Sequence, residues 1–163
     1  MLKYRVPCSF LENLSVSKGK MQTILIVEDK DSMARMLKEA LEAEGYSILL
    51  AASGDLGIRM AIENDPDLIL TDMKLPGATG MDVLGSSRDL APLRPVVMMT
   101  AYGSVETAVE AMKLGAYDFI TKPFNIDHLL LVLKRALDNR LLVTEHMLLK
   151  DDNNNLDEFP DII

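Results

Sequence analysis

The chain has 163 residues and a formal net charge of −8, with 48% hydrophobic and 26% charged residues. This length and composition indicate one globular domain, alone or with short appendages. The acidic balance argues against direct nucleic-acid contact, because phosphate binding needs clustered Lys and Arg. The lone Cys8 excludes an internal disulfide, and no Cys/His cluster suggests zinc. No apolar run is long enough for a signal peptide or a membrane span, so we expect a cytoplasmic protein.

Up to residue 71, aliphatic runs alternate with helical patterns. TILIV, residues 23–27, is typical of a strand buried on both faces. Apolar residues at helical spacing predict a helix over 31–45 that closes on a glycine, and a strand follows over 46–52. A second helix is predicted over 54–66 and ends before Pro66, and the run 67–71 predicts a third strand.

The second half of the chain continues this alternation. Residues 80–89 predict a helix weakened by one glycine and two serines, and 94–100 a fourth strand. Residues 104–115 predict a fourth helix, 117–121 a fifth strand and 125–141 a fifth helix. Five short strands alternating with five helices predict an α/β fold, a doubly wound parallel sheet with helices on both faces.

Polar residues follow four of the predicted strands. Right-handed crossovers place the carboxyl ends of parallel strands along one edge, where open α/β sheets bind ligands. The polar residues at these ends are Glu28, Asp29, Asp72, Thr100 and Lys122. Each alone is most simply a helix cap or a solvated loop residue. Their joint placement at one edge predicts a chemical site.

The three carboxylates of this set need a compensating cation. Two like charges 4 Å apart repel by about 4 kcal/mol at an effective dielectric near 20. Carboxylate oxygens without Cys or His nearby favour Mg²⁺, with Mn²⁺ as the alternative. Asp72, beside that metal and Lys122 and facing the Thr100 hydroxyl, is suited to attack phosphorus and hold an acyl phosphate. Asp72 is therefore a candidate nucleophile.

Four stretches carry a family resemblance: ILIVEDKDS, DLILTDMKLPG, PVVMMTAYGS and LGAYDFITKPF. They closely resemble the receiver domains of two-component response regulators, especially those of enhancer-binding transcriptional activators of the nitrogen-regulation type. The resembling domain spans residues 22–140. The resemblance implies a flavodoxin-like five-stranded parallel sheet with strand order 2-1-3-4-5.

The resemblance also implies a role for each acidic residue. Asp72 would accept a phosphoryl group from a sensor histidine kinase in a Mg²⁺-dependent reaction. Glu28, Asp29, Asp72 and the backbone carbonyl of Lys74 would hold the metal. Such a domain is a signalling module rather than an enzyme, with self-phosphorylation and slow autodephosphorylation only.

Further roles are implied for the residues across the site. Lys122 and Thr100 would stabilise the phosphoryl group, and Thr100 and Phe119 would form the conformational switch. The bond from Lys122 to Pro123 is often cis in such domains, which proline permits. The loop LPGATG departs from the family by carrying Ala-Thr where Met-Asp is more usual, which puts partner contacts in question more than chemistry.

The two ends of the chain fall outside the resembling domain. Residues 1–21 show no clear periodicity, and we expect a disordered or non-native extension. Residues 141–163 are predicted as a helical linker, which continues the leucine stripe of the fifth helix, and a loop-like acidic tail that begins DDNNN. We expect a homodimer through this linker and through the face of helix four, strand five and helix five. The final FPDII resembles the segment before an AAA+ output domain, so we expect the natural chain to continue past Ile163.

Two other functions compete with a receiver that controls transcription. One is a free-standing single-domain regulator or phosphorelay protein, which acts by protein binding alone. The other is an Asp-nucleophile phosphohydrolase of the haloacid dehalogenase type. Such enzymes need a second Asp two residues after the nucleophile, and Lys74 at that position argues against this hypothesis.

Overall fold

A computed structural model of the protein describes residues 21–101 and 104–157. Residues 1–20 of the predicted extension and the end of the tail, 158–163, lie outside the described residues. The strands are β1 (Thr23–Val27), β2 (Ser47–Ala51), β3 (Leu68–Asp72), β4 (Val96–Thr100) and β5 (Asp118–Thr121). The helices are α1 (Asp31–Ala43), α2 (Gly54–Asn64), α3 (Gly80–Leu90), α4 (Val105–Lys113) and α5 (Ile126–Asp157).

The five strands form one parallel sheet in the order β2-β1-β3-β4-β5. The predicted α/β class and the strand order 2-1-3-4-5 are therefore confirmed. In the register of the sheet, Val27 is level with Thr71, and Asp72 is level with Met99. The carboxyl ends of neighbouring strands consequently meet at one edge.

Burial divides the sheet into a central part and two margins. All residues of β3 and β4 are buried, and β1 is buried after its first residue, whereas β2 and β5 are partly exposed. One apolar cluster packs α1 and α5 against the sheet, and a second packs α2, α3 and α4 against the other face. Burial on both faces explains why the central strands are mainly apolar rather than alternating between apolar and polar residues.

Helix α3 forms despite its weak composition. The Thr79 hydroxyl accepts a hydrogen bond from the Asp82 N–H at 3.3 Å, and Asp82 Oδ2 accepts one from the Thr79 N–H at 2.9 Å. This reciprocal capping box satisfies two otherwise free donors at the helix start. Val83 and Leu84 are buried beneath the helix. Capping and packing therefore outweigh the low helix propensity.

The ends of several helices differ from the sequence prediction, among them those of α1 and α5. Helix α1 ends at Ala43, and Gly45 follows in a left-handed conformation with φ of 94°. Helix α5 is 32 residues long and continues to Asp157, so the prediction of a loop from Asp151 was wrong up to that residue. Each residue added to an existing helix gains a hydrogen bond without a new nucleation cost, which favours this continuation.

Helix α5 is bound to the amino-terminal edge of the sheet by one arginine. Arg140 Nη1 donates to the Asp67 carbonyl at 2.8 Å and lies 3.2 Å from Asp67 Oδ1. Asp67 Oδ2 in turn accepts from the Thr23 N–H at 2.8 Å. The starts of β1 and β3 and the middle of α5 are thus joined. None of the helices described is both long and apolar enough to cross a lipid bilayer.

We expect Leu129→Ala to lower the free energy of unfolding by about 2–5 kcal/mol, because it leaves a cavity under α5. Leu129 is 1% exposed, whereas Leu131 on the same helix is 46% exposed. The matched control Leu131→Ala should change stability by about 0.5 kcal/mol or less. Urea denaturation followed by circular dichroism measures both. Equal losses would contradict this packing of α5.

Candidate functional site

Backbone pairing continues past the strand ends and positions the site. The Glu28 N–H donates to the Ala51 carbonyl at 3.0 Å, and the Lys122 N–H donates to the Thr100 carbonyl at 2.7 Å. Residues that follow β1 and β5 are therefore held as firmly as the strands themselves. Asp72 and Thr100 are the last residues of their strands, and both are buried.

The Lys122 ammonium lies between two carboxylates. Its Nζ is 2.7 Å from Glu28 Oε2 and 3.0 Å from Asp72 Oδ2. The side chains of Lys122, Glu28 and Asp72 are 10%, 0% and 11% exposed. Hydrogen bonds with an ionised donor and acceptor are roughly twice as strong as neutral ones. One cation thus links the ends of β1, β3 and β5.

A third carboxylate completes an oxygen-lined acidic cluster. One carboxylate oxygen from each of Glu28, Asp29 and Asp72 lies within 4.8 Å of the others. Asp29 is exposed and makes no hydrogen bond or ion pair with the part of the chain that the structure describes. An all-oxygen set of negative charge, open to solvent on one side, fits Mg²⁺, which keeps several of its waters when bound.

A cavity of about 180 Å³ opens beside this cluster. Seven residues line it: Asp29, Lys30, Asp72, Lys74, Thr100, Ala101 and Lys122. Glu28 does not line the cavity, but its carboxylate accepts a hydrogen bond from Lys122, which does. The cavity is therefore lined by carboxylates, a hydroxyl and ammonium groups at once.

Burial and charge shift two pKa values in this site. Burial raises the pKa of Glu28 above its ordinary value, and the nearby charge of Asp72 adds to the rise, although hydrogen bonds from Lys122 and the Lys30 N–H oppose it. Burial lowers the pKa of Lys122, but its hydrogen bonds to Glu28 and Asp72 raise it by more. Lys122 therefore stays protonated at neutral pH, while ionised Glu28 depends on that cation.

The remaining sequence-predicted residues divide into two groups. Thr100 lines the cavity, as does Lys74, whose N–H lies 3.4 Å from Asp72 Oδ1. Phe119 lies apart, half-buried against the apolar cluster on the α2, α3 and α4 face. The peptide bond from Lys122 to Pro123 is cis.

The sequence analysis did not single out Lys30. Its N–H donates to Glu28 Oε1 at 3.1 Å, and the residue borders the cavity. Its position directly after Glu28 and Asp29 is the sequence feature that could have indicated its place in the site. A backbone donor, however, carries no signature in the residue type.

We expect Lys122→Met, measured without divalent metal at about pH 7.5, to lower the free energy of unfolding by about 3 kcal/mol. The change leaves two carboxylates buried without a cation. It also raises the pKa of Glu28 further above 4.5, so the folded state takes up a proton that the unfolded state does not. The loss should therefore be smaller at about pH 5 than at about pH 7.5.

Urea denaturation at both pH values measures this difference. Lys134→Met, which removes an exposed ammonium from α5, is the matched control and should change stability little at either pH. A loss for Lys122→Met that is equal at both pH values would exclude the coupling to Glu28.

Comparison with known sequences gives one consistent family. The response regulator receiver domain profile matches residues 24–134. The regulatory protein AtoC of Escherichia coli is 40% identical over 114 residues, which cover 70% of this chain and 25% of AtoC. The nitrogen assimilation regulatory protein NtrX of Azorhizobium caulinodans is 40% identical over 124 residues, 75% of this chain and 27% of NtrX. The chain thus spans about a quarter of the length of these two relatives.

Solved structures agree with the sequence matches. NtrX from Brucella abortus superposes with a TM-score of 0.74 at 35% identity, over 79% of this chain and 29% of that chain. The signal receiver domain of a putative LuxO repressor protein from Vibrio parahaemolyticus gives a TM-score of 0.73 at 34% identity, over 76% of this chain and 95% of that chain. The chain therefore belongs to the response regulator receiver domain family, signalling domains of two-component systems that sensor kinases phosphorylate and that bind Mg²⁺ at an acidic site.

Proposed function

We propose that Asp72 is the phosphoacceptor of this receiver domain and takes its phosphoryl group from a phosphohistidine of a sensor histidine kinase. The carrying observation is that Asp72 both borders the cavity and contacts Lys122. Glu28 does not border the cavity, and its side chain is fully buried. Asp29 borders the cavity but is exposed and lacks a cationic partner among the described residues.

The transfer exchanges one bond for another. An Asp72 carboxylate oxygen forms a bond to phosphorus while the phosphorus–nitrogen bond to the donor histidine breaks, and the imidazole nitrogen keeps the electron pair. Lys122 shifts a hydrogen bond from the Asp72 carboxylate to a phosphoryl oxygen, and the Thr100 hydroxyl donates to another. A Mg²⁺ ion held by Glu28, Asp29, Asp72 and the Lys74 carbonyl supplies charge neutralisation when bound, with Mn²⁺ as a substitute.

The same contacts support a conformational switch. Phosphorylation adds roughly −1.5 to −2 charges and three acceptor oxygens beside Thr100. Thr100 is level in the sheet with Thr121, two residues after Phe119 on β5. A shift of Thr100 toward the phosphoryl group changes the packing of the half-buried Phe119 against the α4 side of the sheet. The signal then reaches the surface formed by α4, β5 and α5.

The acyl phosphate persists rather than turning over. Lys74 stands two residues after Asp72, where phosphohydrolases of the haloacid dehalogenase type carry a second Asp as general acid and base. Residues 22–140 act as the receiver, and 141–163 act as a linker to an output domain that activates transcription. The region matched in AtoC is only 25% of its length, which supports this arrangement.

We expect the protein to gain the mass of one phosphoryl group when it is incubated with acetyl phosphate and Mg²⁺, and Asp72→Asn to gain none. The amide cannot form the acyl phosphate. Intact-mass spectrometry measures the product. Asp89→Asn, which changes an exposed carboxylate at the end of α3, is the matched control and should be modified as in the wild type.

The same assay separates the competing chemistries. Chelation of the metal should abolish the modification. The phosphorylated protein should decay by releasing one phosphate per protein, without multiple turnover. Modification of Asp72→Asn to the wild-type extent would exclude Asp72 as the acceptor. Multiple-turnover phosphate release would indicate a hydrolase.

An exposed apolar face supports homodimerisation. Val105, Val109 and Met112 on α4 are 81%, 45% and 47% exposed and are spaced to share one helix face. Exposed leucines continue along α5 and its extension: Leu131, Leu141, Leu142 and Leu148. Grouped apolar side chains on helices are typical of protein interfaces. The dimer uses the face of α4, β5 and α5 together with the linker.

We expect Val109→Lys to weaken self-association by about tenfold or more, because it places an unpaired charge inside the apolar face. Sedimentation equilibrium with and without acetyl phosphate measures the dimer constant in both states. Ile62→Lys, at a residue of α2 that is 59% exposed, is the matched control and should leave association unchanged. Equal effects of the two substitutions would place the interface elsewhere.

A further inference from the structure

The loop between β3 and α3, residues 73–79, is tied to the start of α2 by Asp55. The Ala78 N–H donates to Asp55 Oδ2 at 3.3 Å. Asp55 is in the first turn of α2, whose N-cap Ser53 accepts from the Leu56 N–H. The Asp55 carboxylate that holds the loop thus belongs to a capped helix, and the cap fixes the backbone position of this residue.

The contact between the loop and α2 is too close for side chains at two glycines. A Cβ at Gly77 would collide with Asp55 Oδ2, and Gly77 also has a φ of 75°, which favours glycine. A Cβ at Gly54 would collide with the Ala78 carbonyl oxygen. The backbones of the loop and α2 therefore meet directly at Gly54 and Ala78.

The other end of the loop is held at the strand that carries Asp72. The Gly80 N–H donates to the Met73 carbonyl at 3.0 Å, and the Lys74 N–H lies 3.4 Å from Asp72 Oδ1. Between these two attachments lies the Lys74 carbonyl, the one backbone oxygen expected to bind the metal. A fixed loop presents that oxygen without an ordering cost at the moment of binding.

We propose that Asp55 is a positioning residue for the divalent-cation site, which it supports by holding residues 73–79 and hence the Lys74 carbonyl in place. The proposal rests on the proposed function, because it assumes that the acidic cluster binds Mg²⁺ with that carbonyl as a ligand. Asp55 does not touch the cation itself. Its effect passes through Gly77 and Ala78 to Lys74.

Mn²⁺ serves as the probe because its free and bound forms differ in electron paramagnetic resonance. Asp55→Ala removes the acceptor for the Ala78 N–H, and we expect Mn²⁺ binding to weaken about fivefold, which matches the net worth of one hydrogen bond. Asp55→Asn keeps an acceptor oxygen and should bind Mn²⁺ within about twofold of the wild type. Glu63→Ala removes an exposed carboxylate from the far end of the same helix and should not change binding.

A second variant tests the contact from the loop side. Gly77→Ala places a Cβ against the Asp55 carboxylate and should weaken Mn²⁺ binding at least as much as Asp55→Ala does. Urea denaturation in chelator confirms that each variant is folded before titration. Binding is compared only among folded variants, so a general loss of stability does not imitate the expected pattern.

The possible outcomes separate this inference from the metal site itself. Weaker binding in Asp55→Ala and Gly77→Ala, with Asp55→Asn close to the wild type, supports the positioning role. Equal weakening in Asp55→Asn and Asp55→Ala would assign the effect to charge and overturn it. Unchanged binding in Asp55→Ala would also overturn it while leaving the metal site intact. Failure of the wild type to bind Mn²⁺ would overturn the metal site and this inference together.

Discussion

The ammonium of Lys122 offsets part of the negative charge at the carboxyl edge of the sheet, and the arrangement of that edge depends on it. Lys122 follows the edge strand β5, yet its partners lie beyond β4, because Asp72 ends β3 and Glu28 follows β1. The side chain therefore crosses the end of β4. Thr100 and Ala101 at that end are small residues, which leaves the path open. Without this reach, ionised Glu28 would be buried beside a second carboxylate with no cation among the described residues.

The site consequently receives positive charge from two directions. Lys122 approaches from the protein side and pairs with Glu28, the innermost carboxylate. Asp29 faces solvent, so a divalent cation would meet the cluster from outside. A phosphoryl group on Asp72 would lie between these two charges. This arrangement explains how three carboxylates are tolerated at one edge of the sheet.

The sequence predicted those features that depend on periodicity and chain order. The aliphatic runs of β1, β3 and β4 indicated buried parallel strands, and the residues after them indicated the site edge. Features that depend on the path of the chain in space were not accessible. The hydrogen bond from Ala78 to Asp55 joins residues 23 positions apart, and neither residue type indicates this contact. The reach of Lys122 across β4 likewise depends on a rotamer and not on spacing.

The wrong loop prediction after Lys150 and the underestimated strength of the correctly predicted helix α3 have a common cause. Composition alone predicted a poor α3 and a loop after Lys150, because serine, glycine, asparagine and aspartate are weak helix formers. In α3 the capping box of Thr79 and Asp82 and the burial of Val83 and Leu84 favour the helix. In α5 a long existing helix continues into the acidic residues up to Asp157. Propensity is a weak term wherever caps, packing or an existing helix contribute as well.

The contact between Arg140 and Asp67 fixes α5 at one point, and the helix continues beyond that point. The leucines directly after Arg140, Leu141 and Leu142, are exposed, while the helix continues for 17 residues to Asp157. At 1.5 Å per residue this arm is about 25 Å long. A tilt of about 10° of the helix at Arg140 would move its end at Asp157 by about 4 Å. Small displacements at the base of the sheet are therefore magnified at the far end of the helix.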